Sequence, residues 1–158
     1  MHDTIQPWSA DAGLARLLRR CGLDPADLDD RPAVELAGVR GADGPVAAVG
    51  LEHHGRAGLL RSLAVAPEAR GRGLARRLVA HAEDRARRAG LADLFLLTDT
   101  ADELFGRLGY TAVARAAAPA AIRSSPQFAS LCPASATCMH KHLGSARGGP
   151  RRSMEASR

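Results

Sequence analysis

The sequence predicts a mixed α/β domain, and three observations support this prediction. Three strand-like runs, at residues 34–39, 45–52 and 57–65, follow one another with short turns between them. A long run at 74–89 repeats its apolar residues at helical spacing. The nearly uninterrupted apolar run at 91–97 is typical of a buried strand. Because short turns join antiparallel neighbours, the three consecutive strands are expected to form an antiparallel meander.

Upstream of the meander, the sequence predicts one strand and two helices. The strand covers residues 4–8, and a first helix extends to about Arg20 with Ser9 or Asp11 as its N-cap. The apolar face of this helix is formed by Leu14, Leu17 and Leu18. Asp24, followed by a proline, is typical of the start of a short second helix.

Downstream of the buried strand, the sequence predicts two short helices and two more strands. The first helix covers residues 101–108 and ends at Gly109, and a strand begins at Tyr110. A proline at the start of residues 119–123 favours the second helix there. The last strand is expected at residues 136–142.

The positive charge of the chain is concentrated at its C-terminal end. The 158 residues carry a formal net charge of +5. Residues 144–158 contain four arginines and one glutamate, a net charge of +3, which leaves +2 for the rest. We therefore expect one domain over residues 1–143, followed by a basic, disordered tail over 144–158. A nearly neutral domain without a basic, aromatic-rich stripe argues against nucleic acid as a partner.

Cysteine content and hydropathy favour a cytoplasmic protein. The three cysteines, Cys21, Cys132 and Cys138, include no closely spaced pair, which fits neither a disulfide framework nor a zinc site. No apolar run approaches the roughly 20 residues of a membrane helix. No signal peptide is evident either. We therefore expect no metal and no membrane partner.

The most informative stretch is the glycine-rich turn between the third meander strand and the long helix. It reads Val65-Ala66-Pro67-Glu68-Ala69-Arg70-Gly71-Arg72-Gly73-Leu74-Ala75. A glycine-rich turn that opens a helix presents several backbone N–H groups together, and the helix N-terminus adds a partial positive charge. The stretch therefore predicts a phosphate-binding loop. The expected contact residues are Arg70, Gly71, Arg72, Gly73, Leu74 and Ala75.

Two common phosphate-binding loops do not fit this stretch. A Walker-type loop ends in Gly-Lys-Ser or Gly-Lys-Thr, whereas Lys141 is the only lysine in the chain. A dinucleotide fingerprint needs a third glycine after two intervening residues, but Arg76 stands at that position.

The spacing Arg70-x-x-Gly73-x-Ala75 resembles the acyl-coenzyme A signature of the GCN5-related N-acetyltransferases (GNAT). A second signature of that superfamily resembles residues 105–110, Phe-Gly-Arg-Leu-Gly-Tyr. The resemblance implies a central, mostly antiparallel mixed sheet of about six to seven strands, flanked by helices and splayed at the acetyl-CoA cleft. It also implies acetyl-CoA as co-substrate and direct transfer of its acetyl group to an amine within a ternary complex.

The resemblance assigns further roles along the chain. The backbone of Leu63, Ala64 and Val65 is implied to bind the pantetheine arm and the thioester carbonyl. Thr98 stands where the family often has an asparagine, and Phe105 where it often has the tyrosine that protonates the CoA thiolate. Both are expected to contact the cofactor. Because Phe105 has no hydroxyl group, the acid could be Tyr110, a water molecule or the amine product, or the thiolate could leave unassisted.

The C-terminal part resembles the acetyltransferases of bacterial arsenic-resistance operons. The similar segments are residues 97–101, 119–125 and 128–136, and the resemblance extends to about Leu143. It implies a small-molecule acceptor whose amine belongs to an arsenic- or phosphorus-containing amino acid.

Candidate catalytic and substrate-binding residues lie on the meander. Glu52 is the preferred general base, and the other candidates are Glu35, His53 and His54. Arg61 and Ser62 alternate along the third strand, so only one of them is expected to face the substrate. A guanidinium from Arg61 or Arg123 would suit an arsonate or phosphinate group.

Two other readings remain open from the sequence. The same chemistry could act on a protein N-terminus or an antibiotic. Alternatively, the chain could be a non-catalytic sensor of acyl-CoA or arsenic that kept the phosphate loop and lost the acid. Meander edges could pair between subunits, so a homodimer is a further expectation.

Overall fold

The computed structural model describes residues 3–26, 28, 34–131 and 135–144. The strands are β1 (Ile5–Trp8), β2 (Val34–Gly41), β3 (Gly44–His54), β4 (Ala57–Val65), β5 (Asp93–Thr98), β6 (Thr111–Ala112) and β7 (Thr137–His142). The helices are α1 (Ala12–Arg20), α2 (Leu74–Arg88), α3 (Asp102–Arg107) and α4 (Ala120–Arg123). Shorter helical turns cover Pro67–Ala69, Arg115–Ala117 and Gln127–Leu131.

The seven strands form one sheet in the order β1-β2-β3-β4-β5-β7-β6. Strand β2 pairs antiparallel with β1 and with β3, and β7 pairs antiparallel with β5 and with β6. Strands β4 and β5 are parallel, through Ala57–Leu59 and Asp93–Phe95. The expected mixed, mostly antiparallel sheet flanked by helices is confirmed.

Contacts between Cα atoms divide the chain into two compact units. The first contains residues 1–52 and 60–82, which include β1, α1, β2, most of β3 and β4, and the start of α2. The second contains residues 53–59 and 83–158, which include β5, α3, β6, α4 and β7. One apolar cluster of the second unit consists of Ala57, Leu59, Phe95, Ala118, Ile122, Phe128 and Cys138.

Local sequence explains how α1 begins and ends. The amide of Leu14 donates to Oδ1 of Asp11 at 2.8 Å, so Asp11 is the N-cap of α1 and Ser9 is not. Leu14, Leu17 and Leu18 are buried, as their spacing predicts. After Cys21, Gly22 adopts a φ of 76° and Leu23 N donates back to Leu18 O, which closes the helix.

Several boundaries differ from the sequence-based expectations. Strand β3 continues through His54, so only Gly55 and Arg56 form the turn to β4. The chain also forms a helical turn after Pro126, between the predicted helix at 119–123 and the predicted strand at 136–142, because proline fits the first turn of a helix. Three features of the sequence lie outside the described residues. They are most of the short helix expected after Asp24, the residue Cys132, and the expected tail apart from Gly144.

Within the described ranges, every helix is too short or too polar to cross a membrane.

Candidate functional site

The glycine-rich turn forms a loop that leads from β4 into α2. Beyond Val65, a single helical turn at Pro67–Ala69 precedes the glycines, and α2 begins at Leu74. The carbonyl of Gly73 accepts a helical hydrogen bond from Arg77 N at 3.1 Å. Since the amides of a first helical turn have no acceptor within their own helix, the start of α2 presents N–H donors at the loop. This arrangement suits an anion such as a pyrophosphate.

The two glycines of the loop both adopt the left-handed backbone conformation. The φ angle is 85° at Gly71 and 73° at Gly73. Apart from chain neighbours, no heavy atom of the described residues lies within 4 Å of a Cβ placed on either glycine. The loop therefore needs glycine for its backbone conformation, and the space beside both glycines is open to a ligand.

The arginines of the loop bond to the loop itself. Nε of Arg70 donates to Val65 O at 3.0 Å, and Nε of Arg72 donates to Ala69 O at 3.4 Å. Both side chains are exposed. The sequence placed these arginines near the phosphates, and the structure adds that each also stiffens the turn. Whether their charge reaches a bound phosphate stays a prediction.

The N-terminal segment contacts the loop and α2 through Asp3, which the sequence analysis missed. Oδ1 of Asp3 lies 3.5 Å from Nη1 of Arg72. The carbonyl of Asp3 accepts a hydrogen bond from Nη2 of Arg77 at 2.6 Å. No local motif signals these contacts, because Asp3 is about 70 residues away in the sequence.

Strand β4 changes its backbone conformation at Ser62. Its φ is 57°, and Ser62 is the one non-glycine residue with a positive φ among the residues described. A left-handed residue inside a strand interrupts the alternation of side chains. Nε of Arg61 donates to Oγ of Ser62 at 3.1 Å, so the two neighbouring side chains meet. Which of them faces the substrate stays a prediction.

Glu52 and Arg61, proposed from the sequence as base and substrate anchor, form an ion pair with each other. Nη1 of Arg61 donates to Oε2 of Glu52 at 2.7 Å, and both side chains are 1% exposed. A buried pair of this kind compensates the loss of hydration of both charges. At 1% exposure, Glu52 would take a proton from a substrate only through an intervening group such as a water molecule.

The other base candidates lie on β2 and β3. Glu35 on β2 and His53 and His54 on β3 are all half-buried. Leu63 and Val65 on β4 are half-buried as well, whereas Ala64 is buried. Strand β4 continues through these residues beyond Leu59, where its pairing with β5 ends.

In the second unit, the positions assigned by resemblance lie around α3. Oγ1 of Thr98 accepts a hydrogen bond from Ala101 N at 2.9 Å, so this threonine shapes the turn into α3. The ring of Phe105 is buried and meets the ring of Tyr110 edge-on, with 5.4 Å between centroids. Arg123 is exposed at the end of α4.

Tyr110 belongs to a buried polar cluster with Glu83 and Lys141. Its hydroxyl donates to Oε2 of Glu83 at 2.9 Å. Nζ of Lys141 donates to both oxygens of Glu83, at 3.2 and 3.0 Å, and to Leu108 O at 2.9 Å. Burial, reinforced by the charge of Glu83 and the hydrogen bond to it, raises the pKa of Tyr110. This geometry favours a structural role for Tyr110, and its role as the acid stays a prediction.

We expect the phenol of Tyr110 to ionise in the folded protein only well above pH 10. The pKa of Tyr110 is raised by folding, so its contribution to stability is complete below the unfolded pKa of about 10 and is lost at higher pH. Tyr110 is the only tyrosine, so phenolate absorbance in native and urea-unfolded protein reports it directly. Tyr110→Phe should remove this alkaline loss of stability. A native phenol that titrates near pH 10 would contradict the buried cluster.

A second cluster connects β5 with β7. Oδ1 of Asp93 lies 2.8 Å from Nε2 of His140 and 2.9 Å from Nδ1 of His142. Burial alone would raise the pKa of Asp93, but the hydrogen bonds to His140 and His142 outweigh it and lower that pKa. The two histidines of β7 thus both contact one carboxylate from the neighbouring strand.

Comparisons with known proteins agree with the fold and the loop. Residues 34–112, half of the chain, match the sequence model of the acetyltransferase (GNAT) domain. No curated protein sequence matches the chain significantly.

Solved structures share the architecture at low sequence identity. N-acetylglutamate synthase from Neisseria gonorrhoeae, with coenzyme A and N-acetyl-glutamate, superposes with a TM-score of 0.71 at 20% identity, over 90% of this chain and 36% of that protein. This chain thus spans about a third of that enzyme. A GNAT acetyltransferase from Staphylococcus aureus Mu50 gives a TM-score of 0.69 at 12% identity, over 89% and 99% of the two chains. The PaiA N-acetyltransferase from Thermoplasma acidophilum, with coenzyme A, gives 0.65 at 12% identity, over 90% and 99%.

The matched residues 34–112 include β4, the glycine-rich turn and the whole of α2. The chain belongs to the GNAT acetyltransferase family.

Proposed function

We propose that this protein is an N-acetyltransferase that moves the acetyl group of acetyl-CoA to the amine of a small molecule. The observation that carries the proposal is the loop before α2. Gly71 and Gly73 hold a left-handed backbone with open space beside them, directly before the N-terminus of a helix. Such a turn offers amide donors and a partial positive charge to a pyrophosphate.

The roles proposed for the chain follow from this loop. Residues 70–75 bind the pyrophosphate of acetyl-CoA, and the backbone of residues 63–65 binds its pantetheine arm and thioester carbonyl. Bound acetyl-CoA supplies an activated acetyl group, which a neutral amine attacks directly without an acyl-enzyme. Holding both reactants in one complex supplies several kcal/mol of the rate enhancement. Thr98 and Phe105 are proposed as further cofactor contacts.

The reaction needs two proton transfers, one from the amine and one to the CoA thiolate. Glu52 accepts the proton of the amine through a water molecule, because one of its oxygens already bonds to Arg61. The CoA thiolate receives its proton from Tyr110, from a water molecule or from the amine product. The bond from Tyr110 to Glu83 favours the second and third of these sources.

For the acceptor, we propose an arsenic- or phosphorus-containing amino acid. The support is the resemblance of residues 97–101, 119–125 and 128–136 to the arsenic-resistance acetyltransferases. An amino acid as acceptor also agrees with the N-acetyl-glutamate in the Neisseria structure. Because Arg61 is paired with Glu52, the exposed guanidinium of Arg123 is the stronger candidate for the acidic group of the substrate.

The remaining expectations complete the proposal. We propose a cytoplasmic protein that acts without a nucleic-acid or membrane partner. The edges of the sheet are β1 and β6, and β1 has the longer unpaired edge. The meander edges expected to pair between subunits are in part occupied within the chain, since β1 pairs with β2 and β5 pairs with the start of β4. We therefore propose that the homodimer pairs through β1 instead.

The proposal is tested by thiol release from acetyl-CoA with a panel of amines. The panel contains phosphinothricin, its arsenic analogue arsinothricin, glutamate, an aminoglycoside and a short peptide. Turnover with the arsenic and phosphorus amino acids, reduced by Arg123→Ala mainly through KM, is the expected result. Turnover only with the peptide or the aminoglycoside would show that the acceptor is not an arsenic- or phosphorus-containing amino acid. Acetyl-CoA binding without turnover on any amine would favour the sensor instead.

A further inference from the structure

The ion pair between Arg61 and Glu52 also reaches the one left-handed serine of β4. The guanidinium of Arg61 donates to Glu52 through Nη1 at 2.7 Å and to Oγ of Ser62 through Nε at 3.1 Å. A single side chain therefore connects β3 to the residue of β4 whose φ is 57°. Both charged groups are buried, at 1% exposure, so this connection is not a loose surface contact.

The backbone of β3 is shaped to accept Arg61. A Cβ placed on Gly50 would lie 3.2 Å from Cγ of Arg61 and 3.4 Å from its carbonyl oxygen. The same atom would lie 3.2 Å from Cδ2 of Leu36. The stem of Arg61 thus packs closely on β3 at Gly50, and a side chain there would displace Arg61 or Leu36 by a few tenths of an ångström.

The conformation of Ser62 needs such support. Side chains of L-residues rarely adopt a positive φ, and a residue held there persists only when its surroundings fix it. The hydrogen bond from Arg61 to its hydroxyl is a contact that can fix it. The turn at Ser62 sets the direction of the peptide group that it shares with Leu63.

We propose that Arg61, held by Glu52, is a positioning residue that keeps Ser62 left-handed and so aims the Leu63 amide at the thioester carbonyl of acetyl-CoA. This inference rests on the proposed acetyltransferase function, in which the backbone of residues 63–65 binds that part of the co-substrate. Here the charge of Arg61 serves the backbone of β4, and the substrate is bound by other groups.

The test compares the binding of acetyl-CoA and of CoA to the full chain by calorimetry. Only acetyl-CoA carries the carbonyl, so the wild type should bind it about fivefold to tenfold more tightly, the fold-change of one net hydrogen bond. In Ser62→Ala and in the double variant Glu52→Leu/Arg61→Met, this preference should be lost, whereas the affinity for CoA itself stays within about twofold. Adding Ser62→Gly to the double variant should restore the preference, because glycine adopts a positive φ unaided.

Gly50→Ala is a second, milder variant. It shifts the stem of Arg61 but removes none of the side chains of Glu52, Arg61 and Ser62. This variant should also lower the preference for acetyl-CoA over CoA. It replaces the double variant in the test if the double variant unfolds below the assay temperature. An unchanged preference in the folded variants, or equal binding of both ligands by the wild type, would overturn the inference and leave the proposed function standing. A wild type that binds neither ligand would overturn the proposed function itself.

Discussion

Gly73→Val is expected to weaken acetyl-CoA binding by at least about tenfold, which corresponds to about 1.4 kcal/mol. The backbone at Gly73 has a φ of 73°, a conformation that is strongly unfavourable for a β-branched residue. The new side chain would also occupy the open space beside the first amides of α2. Isothermal titration of acetyl-CoA into the folded variant measures the loss.

A matched pair of glycines separates this effect from simple backbone strain. Gly71 in the loop and Gly90 after α2 both have a φ of 85°, and neither would bring a Cβ within 4 Å of another described side chain. Alanine at either position should therefore cost a similar amount of stability. Only Gly71→Ala should weaken acetyl-CoA binding. Equal binding by both variants and by Gly73→Val would show that the loop is not the phosphate site.

Glu52→Leu is expected to lower the free energy of unfolding by about 3–5 kcal/mol. The substitution leaves the guanidinium of Arg61 buried, at 1% exposure, without the carboxylate that lies 2.7 Å from it. For a domain of this size, such a loss lowers the melting temperature by roughly 10 °C. Urea unfolding and thermal melting of the variant measure both quantities.

The control is the double variant Glu52→Leu/Arg61→Met, which removes both charges together. Its stability should lie close to that of the wild type, because a buried ion pair replaced by packed apolar side chains is often neutral. If the double variant were as unstable as Glu52→Leu alone, the large loss would come from packing at residue 52 and not from an unpaired charge.

The glycine loop could be predicted from the sequence because its signals are local. Gly71 and Gly73 supply the positive φ angles of the loop. The strand before them and the helix after them both lie within about fifteen residues of these glycines. The three strands of the meander could also be predicted from the sequence, since the turns between them are short and contain glycine. The bounds of β4, Ala57–Val65, agree with the predicted run.

The partners of the candidate site residues could not be predicted in the same way. Glu52 and Arg61 each looked suited to substrate chemistry, and their pairing depends on how β3 and β4 lie against each other. The left-handed conformation at Ser62 could not be predicted, because no glycine or asparagine stands at that position. Hydrogen bonds to Glu83 come from residues 27 and 58 positions away, where only the tertiary fold brings them together.

The hydrogen bonds of Lys141 hinder the reaction of the one lysine in the chain with acetyl-CoA. Thioesters acetylate neutral amines slowly without any enzyme, and Lys141 is the only lysine that could react. Its Nζ donates to both oxygens of Glu83 and to Leu108 O, which is as many hydrogen bonds as an ammonium can donate. A control without added amine therefore measures acetylation of the protein with its one lysine already engaged, and a control without protein measures the uncatalysed reaction of the amine.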